Sequence, residues 1–554
     1  MRLPLLVLIV AYAVAVLGLV LMPGINPQGK TEYLSFFHAF YIITYTATTT
    51  GFGEIPHPFS DAQRAWVTFS MYFSIIAWLY AIGALIALVR EPGFVRTLIE
   101  TRFGAAVKRL REPFYIVCGY GDTGAIVVDA LLESPFSVVV IDRDENRINE
   151  LELKDLPSSV LALAADAALP DILLLAGLTQ PSCAGVIALN ADDNTNLKIA
   201  ISAKLLNPRC HVICRAASHD TQANMESFNT DVVINPFDSF AERLGMALHS
   251  PDSHRVYEWL TAAPGEALAK RINPPRGTWI LCGYGRFGHA LAKNMEAEGV
   301  SLVIIEAYPE RVAAPPGAIR GRGTEAVTLQ EAHIERAVGI VAGTNDDANN
   351  LSIIVTARML KPDLFMVARQ NQRENDALFD AANLDIVMQR SRAIARRIMA
   401  LVRAPLLDSF LKQLRAQSNA WAADLALRLQ PLLENRSPVV WTIEISAAGA
   451  SAVYTALTQG SRVACAQLIG EPHRRNVKLP MVVLLVRRDA EEILLPTDDL
   501  ELRTGDRLLC VGRRGVPHTL MLALHDEHVL RYLMTGDGGP SSAFWRWLTP
   551  KLKL

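Results

Sequence analysis

The sequence runs to 554 residues, 51% hydrophobic and 20% charged, with a net charge of −2. A chain of this length exceeds one core and points to several domains, at about 150 residues each. The near-neutral balance excludes a bulk attraction to nucleic acid, and seven scattered cysteines with no CxxC pair or metal-ligand spacing exclude a disulfide framework and fit reduced thiols.

In chain order, the first element is an uncharged apolar run from Leu3 to Met22. Twenty helical residues extend about 30 Å, the thickness of the hydrocarbon layer. Arg2 and the AYA and AVA triplets allow a cleaved signal peptide as the alternative, but the run is long for a signal core and a second uncharged span, Ala65–Val89, follows. Arg90, Arg96, Arg102, Lys108, Arg109 and Arg111 come after the second span, whereas Lys30 is the basic residue between the first span and the segment that follows it. Basic residues stay on the cytoplasmic side, so both termini are expected there, in a multi-pass protein of a cell membrane.

Between the spans, Leu34–Thr46 is apolar and aromatic but only about 20 Å long as a helix, too short to cross. It reads as a re-entrant helix, which is tolerated at membrane depth where the following backbone lines a water-filled path. Thr48, Thr49, Thr50, Gly51, Phe52, Gly53 and Glu54 come next. This stretch resembles the selectivity filter of potassium channels, T-V-G-Y-G followed by an acid. Carbonyl rings in such a filter replace the water shell of the ion, and glycine supplies the left-handed angles that aim them. The resemblance implies a K+ pore completed by four subunits. Thr50 stands in place of the family's valine and Glu54 in place of its aspartate, which bears on the packing behind the filter and on the strictness of selection against sodium. Gly83, inside the second span, is a candidate gating hinge.

The rest of the chain contains an internal repeat. FYIVCGYGDTG begins at Phe114 and TWILCGYGRFG at Thr278, and Gly283 and Glu306 each follow Gly119 and Asp142 by 164 residues. Farther along, Pro362 and Arg369 follow Pro208 and Arg215 by 154. A repeat of that extent carries more weight than one GxGxxG motif. Each turn (Gly119, Gly121, Gly124; Gly283, Gly285, Gly288) lies between an apolar strand and a helix, where close backbone approach and free N–H groups suit a pyrophosphate. Asp142 and Glu306 close the second strand of each unit, placed to accept ribose hydroxyls and to repel a 2′-phosphate, which favours NAD, ADP or ATP over NADP.

The two units resemble the RCK (TrkA-N-type) domains of potassium transport proteins and ligand-gated prokaryotic channels. That resemblance implies two nucleotide sites. The first would comprise Gly119, Tyr120, Gly121, Asp122, Thr123, Gly124, Asp142, Arg143, Asp166, Ala167, Asn190 and Arg215. The second would comprise Gly283, Tyr284, Gly285, Arg286, Phe287, Gly288, Glu306, Arg322, Gly323, Thr324 and Arg369. In the family Arg286 would reach phosphates, and Asp166 with Ala167 would lie near the adenosine. Asp122 departs from the arginine common at its position, and Gly321–Thr324 lacks the usual aspartate. The Val439–Arg513 segment is similar to the small C-terminal lobe of such domains, with a turn at Gly505 and Asp506. Helices over Phe237–Leu260 and Ala393–Leu414 follow each unit and are expected to make dimer contacts.

The expected fold is therefore a helical pore domain (1–90, filter 48–54), a linker (91–112), two α/β Rossmann-type RCK domains (113–272 and 273–420), a β-rich lobe (421–520) and a tail (521–554). Four chains would form a homotetramer with eight RCK domains in a gating ring, surrounded by lipid and gated by nucleotide. Asp192-Asp193 and Asp346-Asp347 make calcium a candidate further ligand, although no EF-hand loop is present. A membrane-anchored NAD-dependent oxidoreductase is the rival from another class. It lacks a substrate domain with a His or Lys acid/base set and leaves the pore loop unexplained, so no enzyme is expected.

Overall fold

A computed structural model gives the structure of the protein and describes residues 2–25, 30–56, 58–156, 160–269 and 271–537. The chain divides into two compact units, 1–106 and 107–554.

The first unit holds α1 (Arg2–Leu21), a short ribbon of β1 (Pro23–Ile25) and β2 (Thr31–Tyr33), α2 (Phe36–Ala47), α3 (Asp61–Arg90) and the start of α4 (Pro92–Val107), a helix where the linker was expected. By length and composition α1 and α3 can each cross a membrane. They pack through Trp66, whose ring lies over Gly18 and whose Nε1 donates to the Ala15 carbonyl at 2.9 Å. Trp78 Nε1 donates to the Tyr12 hydroxyl at 2.9 Å. α2 has 12 residues, about 18 Å, and starts at Ser35, whose hydroxyl accepts the N–H of His38.

In the second unit the first Rossmann domain runs β3 (Phe114–Cys118), α5 (Asp122–Leu132), β4 (Ser137–Asp142), α6 (Glu145–Leu153), β5 (Leu161–Ala164), α7 (Pro170–Leu175), β6 (Cys183–Ala188), α8 (Asp193–Leu206), β7 (His211–Arg215), α9 (His219–Ser227) and β8 (Val232–Ile234). Two helices follow it, α10 (Pro236–His249) and α11 (Pro251–Thr261). The second domain runs β9 (Thr278–Cys282), α12 (Arg286–Ala297), β10 (Ser301–Glu306), β11 (Ile319–Arg320), α13 (Ala326–Glu331), β12 (Gly339–Ala342), α14 (Asp347–Leu360), β13 (Phe365–Gln370), α15 (Asp376–Ala381) and β14 (Ile386–Gln389). It is followed by α16 (Arg390–Arg403), α17 (Leu407–Arg415) and α18 (Asn419–Leu433). The two parallel sheets have the same order, β5-β4-β3-β6-β7-β8 and β11-β10-β9-β12-β13-β14. Their central strands are apolar, apart from Thr278 at the start of β9, because both faces are covered. The repeat spacing falls from 164 to 154 because a single 3₁₀ turn, Pro309–Arg311, replaces α6 in the second domain.

The two domains exchange helices. α10, from the first domain, buries Phe237, Phe240, Leu244 and Leu248 against Trp279, Phe287 and Leu291 of the second. Reciprocally α16 buries Ile394, Ile398 and Val402 against Val127, Val128 and Leu131 of α5. The segments expected to make dimer contacts thus pack within one chain. Each helix presents an apolar face that its own sheet, already covered, cannot bury.

The lobe comprises β15 (Val439–Glu444), α19 (Ser451–Thr458), α20 (Cys465–Leu468), β16 (Gly470–Glu471), β17 (Arg474–Lys478), β18 (Met481–Arg488), β19 (Glu491–Leu494), β20 (Arg507–Gly512), α21 (Val516–His525) and α22 (Glu527–Thr535). Its four-stranded sheet, β15-β20-β18-β19, is antiparallel. Asp506 is buried in the expected turn and accepts two hydrogen bonds from Arg488, at 2.9 and 2.8 Å. The lobe extends past the expected end at residue 520, because Leu524 and Leu530 of α21 and α22 complete its core. The rest of the tail, 538–554, lies outside the described residues.

Candidate functional site

Beyond α2 the backbone has positive φ at Thr49 (58°), Gly51 (64°) and Gly53 (73°). Alternate residues in the left-handed region turn consecutive carbonyls to one side, and glycine takes two of the three positions at no steric cost. The N–H groups of Thr50 and Gly51 donate to the Tyr45 carbonyl at 2.9 and 3.2 Å. Both departures from the filter pattern have partners. Thr50 Oγ1 lies 2.9 Å from Thr48 Oγ1, and the longer Glu54 side chain accepts the Tyr41 hydroxyl at 3.1 Å. The Tyr45 hydroxyl donates to the Glu54 carbonyl at 3.2 Å, and its ring packs edge-on to Phe52. Gly83 lies within an uninterrupted α3, with open space at its Cβ position.

At the first glycine turn Gly119 has φ 103°, and a Cβ on Gly124 would sit 2.1 Å from the Gly119 carbonyl oxygen. Those two glycines let the strand and α5 meet. Asp142, only 7% exposed, accepts the N–H of Tyr120 at 2.6 Å and of Asp144 at 2.8 Å, so the acid also braces the turn. Arg143 pairs with Asp166 at 2.6 Å. Burial pushes the Asp166 carboxyl up, but the bonds from Arg143 and the Ala168 N–H outweigh it and hold the group below the usual range. Ala167 is buried, and Asn190 donates to the Cys118 carbonyl at 3.3 Å. Arg215 is buried and donates to the Asn190 carbonyl at 2.9 Å. Asp122 and Thr123 open α5.

The second site surrounds a cavity of about 770 Å³ walled by Gly283, Gly285, Arg286, Phe287, Glu306, Arg322 and Arg369, with Phe237 from α10. Glu306 accepts the N–H groups of Tyr284 at 2.7 Å and Tyr308 at 3.0 Å, repeating the Asp142 arrangement. Gly288, Gly323 and Thr324 stand outside the cavity wall. A Cβ on Gly288 would meet the Gly283 oxygen at 2.1 Å, Gly323 has φ 76° with Cys282 Sγ against it, and the Thr324 carbonyl accepts the Thr356 hydroxyl. Tyr284 lines a neighbouring cavity of about 490 Å³ with His219 and His289. Burial, with Arg390 and Arg286 nearby, pushes the Arg369 guanidinium down to about 10 despite Asp347.

The paired acids have structural duties. Asp192 and Asp346 cap α8 and α14, while Asp193 and Asp347 hold the loops after β7 and β13 through the N–H groups of Ala217 and Ser218 and of Asn371 and Gln372. Among the described residues no cluster of three or more acidic, His or Cys side chains suits a metal. Cys118 and Cys282 are buried, and that burial pushes both thiols up, Cys282 to about 12.

Two residues that lie beside the glycine turns are not among the sequence candidates. Phe237 reaches the second site only because α10 crosses between domains. Arg390, the first residue of α16, is partly buried. Its guanidinium is pushed down by burial and by Arg286, while Asp122 pulls the other way. The repeat register gives Pro236 as the partner of Arg390, a signal of position but not of proximity.

The profile of the TrkA-N domain matches residues 115–236 and 279–390, and that of the ion transport protein family matches 1–91. The chain thus joins an ion-transport region to two TrkA-N domains. The chain is similar to archaeal potassium-channel proteins. It is 25% identical over 240 residues to potassium channel protein 1 of Methanocaldococcus jannaschii, covering 43% of this chain and 70% of that protein. It is 28% identical over 227 residues to an uncharacterized protein of Methanothermus fervidus, covering 41% of this chain but only 35% of that relative. Among solved structures, the GsuK channel bound to NAD aligns over 93% of this chain and 96% of its own, at 15% identity and a TM-score of 0.45.

Proposed function

We propose that the chain is one subunit of a ligand-gated potassium channel of a prokaryotic cell membrane, with both termini cytoplasmic. Four copies complete the pore, and NAD, ADP or ATP binding at the glycine turns biases the pore between states. The observation that carries the reading is the alternating left-handed backbone at Thr49, Gly51 and Gly53, behind a helix too short to cross and between two apolar helices. Assembly into a ring of eight domains is supported by an exposed apolar stripe that recurs at the repeat spacing. Ile201 and Leu205 on α8 correspond to Val355 and Met359 on α14, all four exposed. Between copies these faces would leave water. Gating requires only that nucleotide bind the two states unequally, with about 1–3 kcal/mol the usual coupling per site.

Asp142, Glu306 and the glycine turns hold the ligand, and Asp122 and Arg286 make the two sites unequal toward multiply charged phosphates. The test is potassium flux in liposomes, with sodium as competitor and with and without NAD, ADP or ATP, beside a dehydrogenase assay. Nucleotide-dependent flux selective for potassium supports the reading. Nucleotide turnover with no flux refutes it.

A further inference from the structure

The second glycine turn is completed by a residue of the first domain. Phe237, 4% exposed at the start of α10, has the Arg286 Cζ 5.6 Å and the Arg369 Cζ 5.2 Å from its ring centre, and Arg369 is also 5.6 Å from Phe287. All four side chains line the 770 Å³ cavity together with Gly283, Gly285 and Glu306. Arg369 is only 9% exposed, and its Nε has no hydrogen-bond partner. A guanidinium so deeply buried ordinarily has a carboxylate beside it. The nearest candidate, Asp347, is taken up by the Asn371 and Gln372 N–H groups and by the side chains of Asn371 and Asn375. Aromatic faces hold a guanidinium by its plane and leave the N–H groups at its edge free to donate to phosphate oxygens.

The first turn lacks this device. Ser391 takes the place of Phe237 in the repeat and Asp122 the place of Arg286, and Arg215, whose Nε also has no partner, spends another N–H on the Asn190 carbonyl. We infer that Phe237 is a positioning residue that the first domain inserts into the second domain's site, where it orients Arg286 and Arg369 for the phosphates of a nucleoside di- or triphosphate and carries their occupancy to α10. The inference rests on the nucleotide reading of this site and adds to it the phosphate class and the domain that senses it.

The test uses the full chain in detergent with Asp142→Ala as the parent, which weakens the first site. In the parent, ADP binding is measured by calorimetry, adenosine by competition, and hydrogen exchange across 236–249 with and without ADP. Phe237→Leu should lower ADP affinity about tenfold while leaving adenosine affinity unchanged, because only phosphate uses the oriented arginines. ADP should slow exchange in α10 of the parent but not of the leucine variant. Phe237→Tyr, which keeps the ring, should restore both and serves as the folding control. Equal losses for ADP and adenosine, unchanged ADP affinity, or no recovery with tyrosine would overturn the inference. A parent that binds no ADP at all would overturn the nucleotide reading beneath it.

Discussion

Replacing the second and third glycines of the second turn separately should split ligand binding from folding. A Cβ on Gly288 would lie 2.1 Å from the Gly283 oxygen and 3.0 Å from its carbon. That is about 1 Å inside ordinary van der Waals contact, and both sides are backbone. α12 would have to back away from β9 and strip contacts from the core around Trp279 and Phe287, at a cost of about 1–3 kcal/mol, the usual range for overpacking. Gly285, by contrast, has nothing within 4 Å of its Cβ position, its φ is −68°, and it lines the cavity. Gly285→Ala should therefore cost less than about 1 kcal/mol of stability, the scale of a weakened N-cap. Its methyl should hinder close approach of a pyrophosphate and lower ADP affinity about tenfold, or about 1.4 kcal/mol. Thermal unfolding of the full chain, read beside calorimetry with ADP, separates the effects. Gly288→Ala should lower the melting temperature, Gly285→Ala the affinity. Equal melting shifts in the two variants would refute the assignment of close packing to one glycine and ligand approach to the other.

Gly51→Ala should abolish potassium flux while sparing assembly and nucleotide binding, because alanine at φ 64° is strained by about 1–2 kcal/mol and nothing else contacts that position; normal flux would refute the filter assignment. Asp142→Ala and Glu306→Ala should each weaken NAD or ADP at their own domain by about 1–3 kcal/mol, measured by calorimetry, and unchanged binding in both would remove the ribose role. The exchange Asp122→Arg with Arg286→Asp should reverse the order of ATP affinities of the two domains, and equal ATP binding by both wild-type sites would count against it. Burial lowers the His254 pKa to about 4, although Glu258 opposes this and Arg243 adds to it. Between pH 6.5 and 4 the unfolded chain therefore takes up a proton that the folded chain refuses, and stability falls as pH drops through that window, by on the order of 3 kcal/mol. Acid melts of His254→Gln should show a flatter slope there, and an unchanged slope would exclude this histidine as its source.

The sequence by itself determined the elements whose cause is local or periodic. Uncharged runs of helical length mark α1 and α3, Gly51 and Gly53 mark the left-handed backbone after α2, and the twice-repeated strand–glycine–helix unit marks both Rossmann domains with their acids. The position of Asp142 and Glu306 at the end of each second strand was legible too, though not their hold on the N–H groups of Tyr120 and Tyr284, which depends on how closely the second strand lies against the turn. Tertiary structure alone decided where the helices after each unit go. An apolar face shows that α10 and α16 must be buried, but not against which sheet, since either domain offers a similar apolar surface at the same position of its fold. Their exchange places Phe237 against Arg286 and Arg369, and brings Arg390 within electrostatic reach of Asp122. The lobe boundary was likewise beyond the sequence, because α22 belongs to it through tertiary contacts such as the burial of Leu530 and the bond from the Tyr532 hydroxyl to the His473 carbonyl. Those pairings join residues far apart in the chain, and a one-dimensional pattern records which side chains are apolar or charged without recording which of them meet.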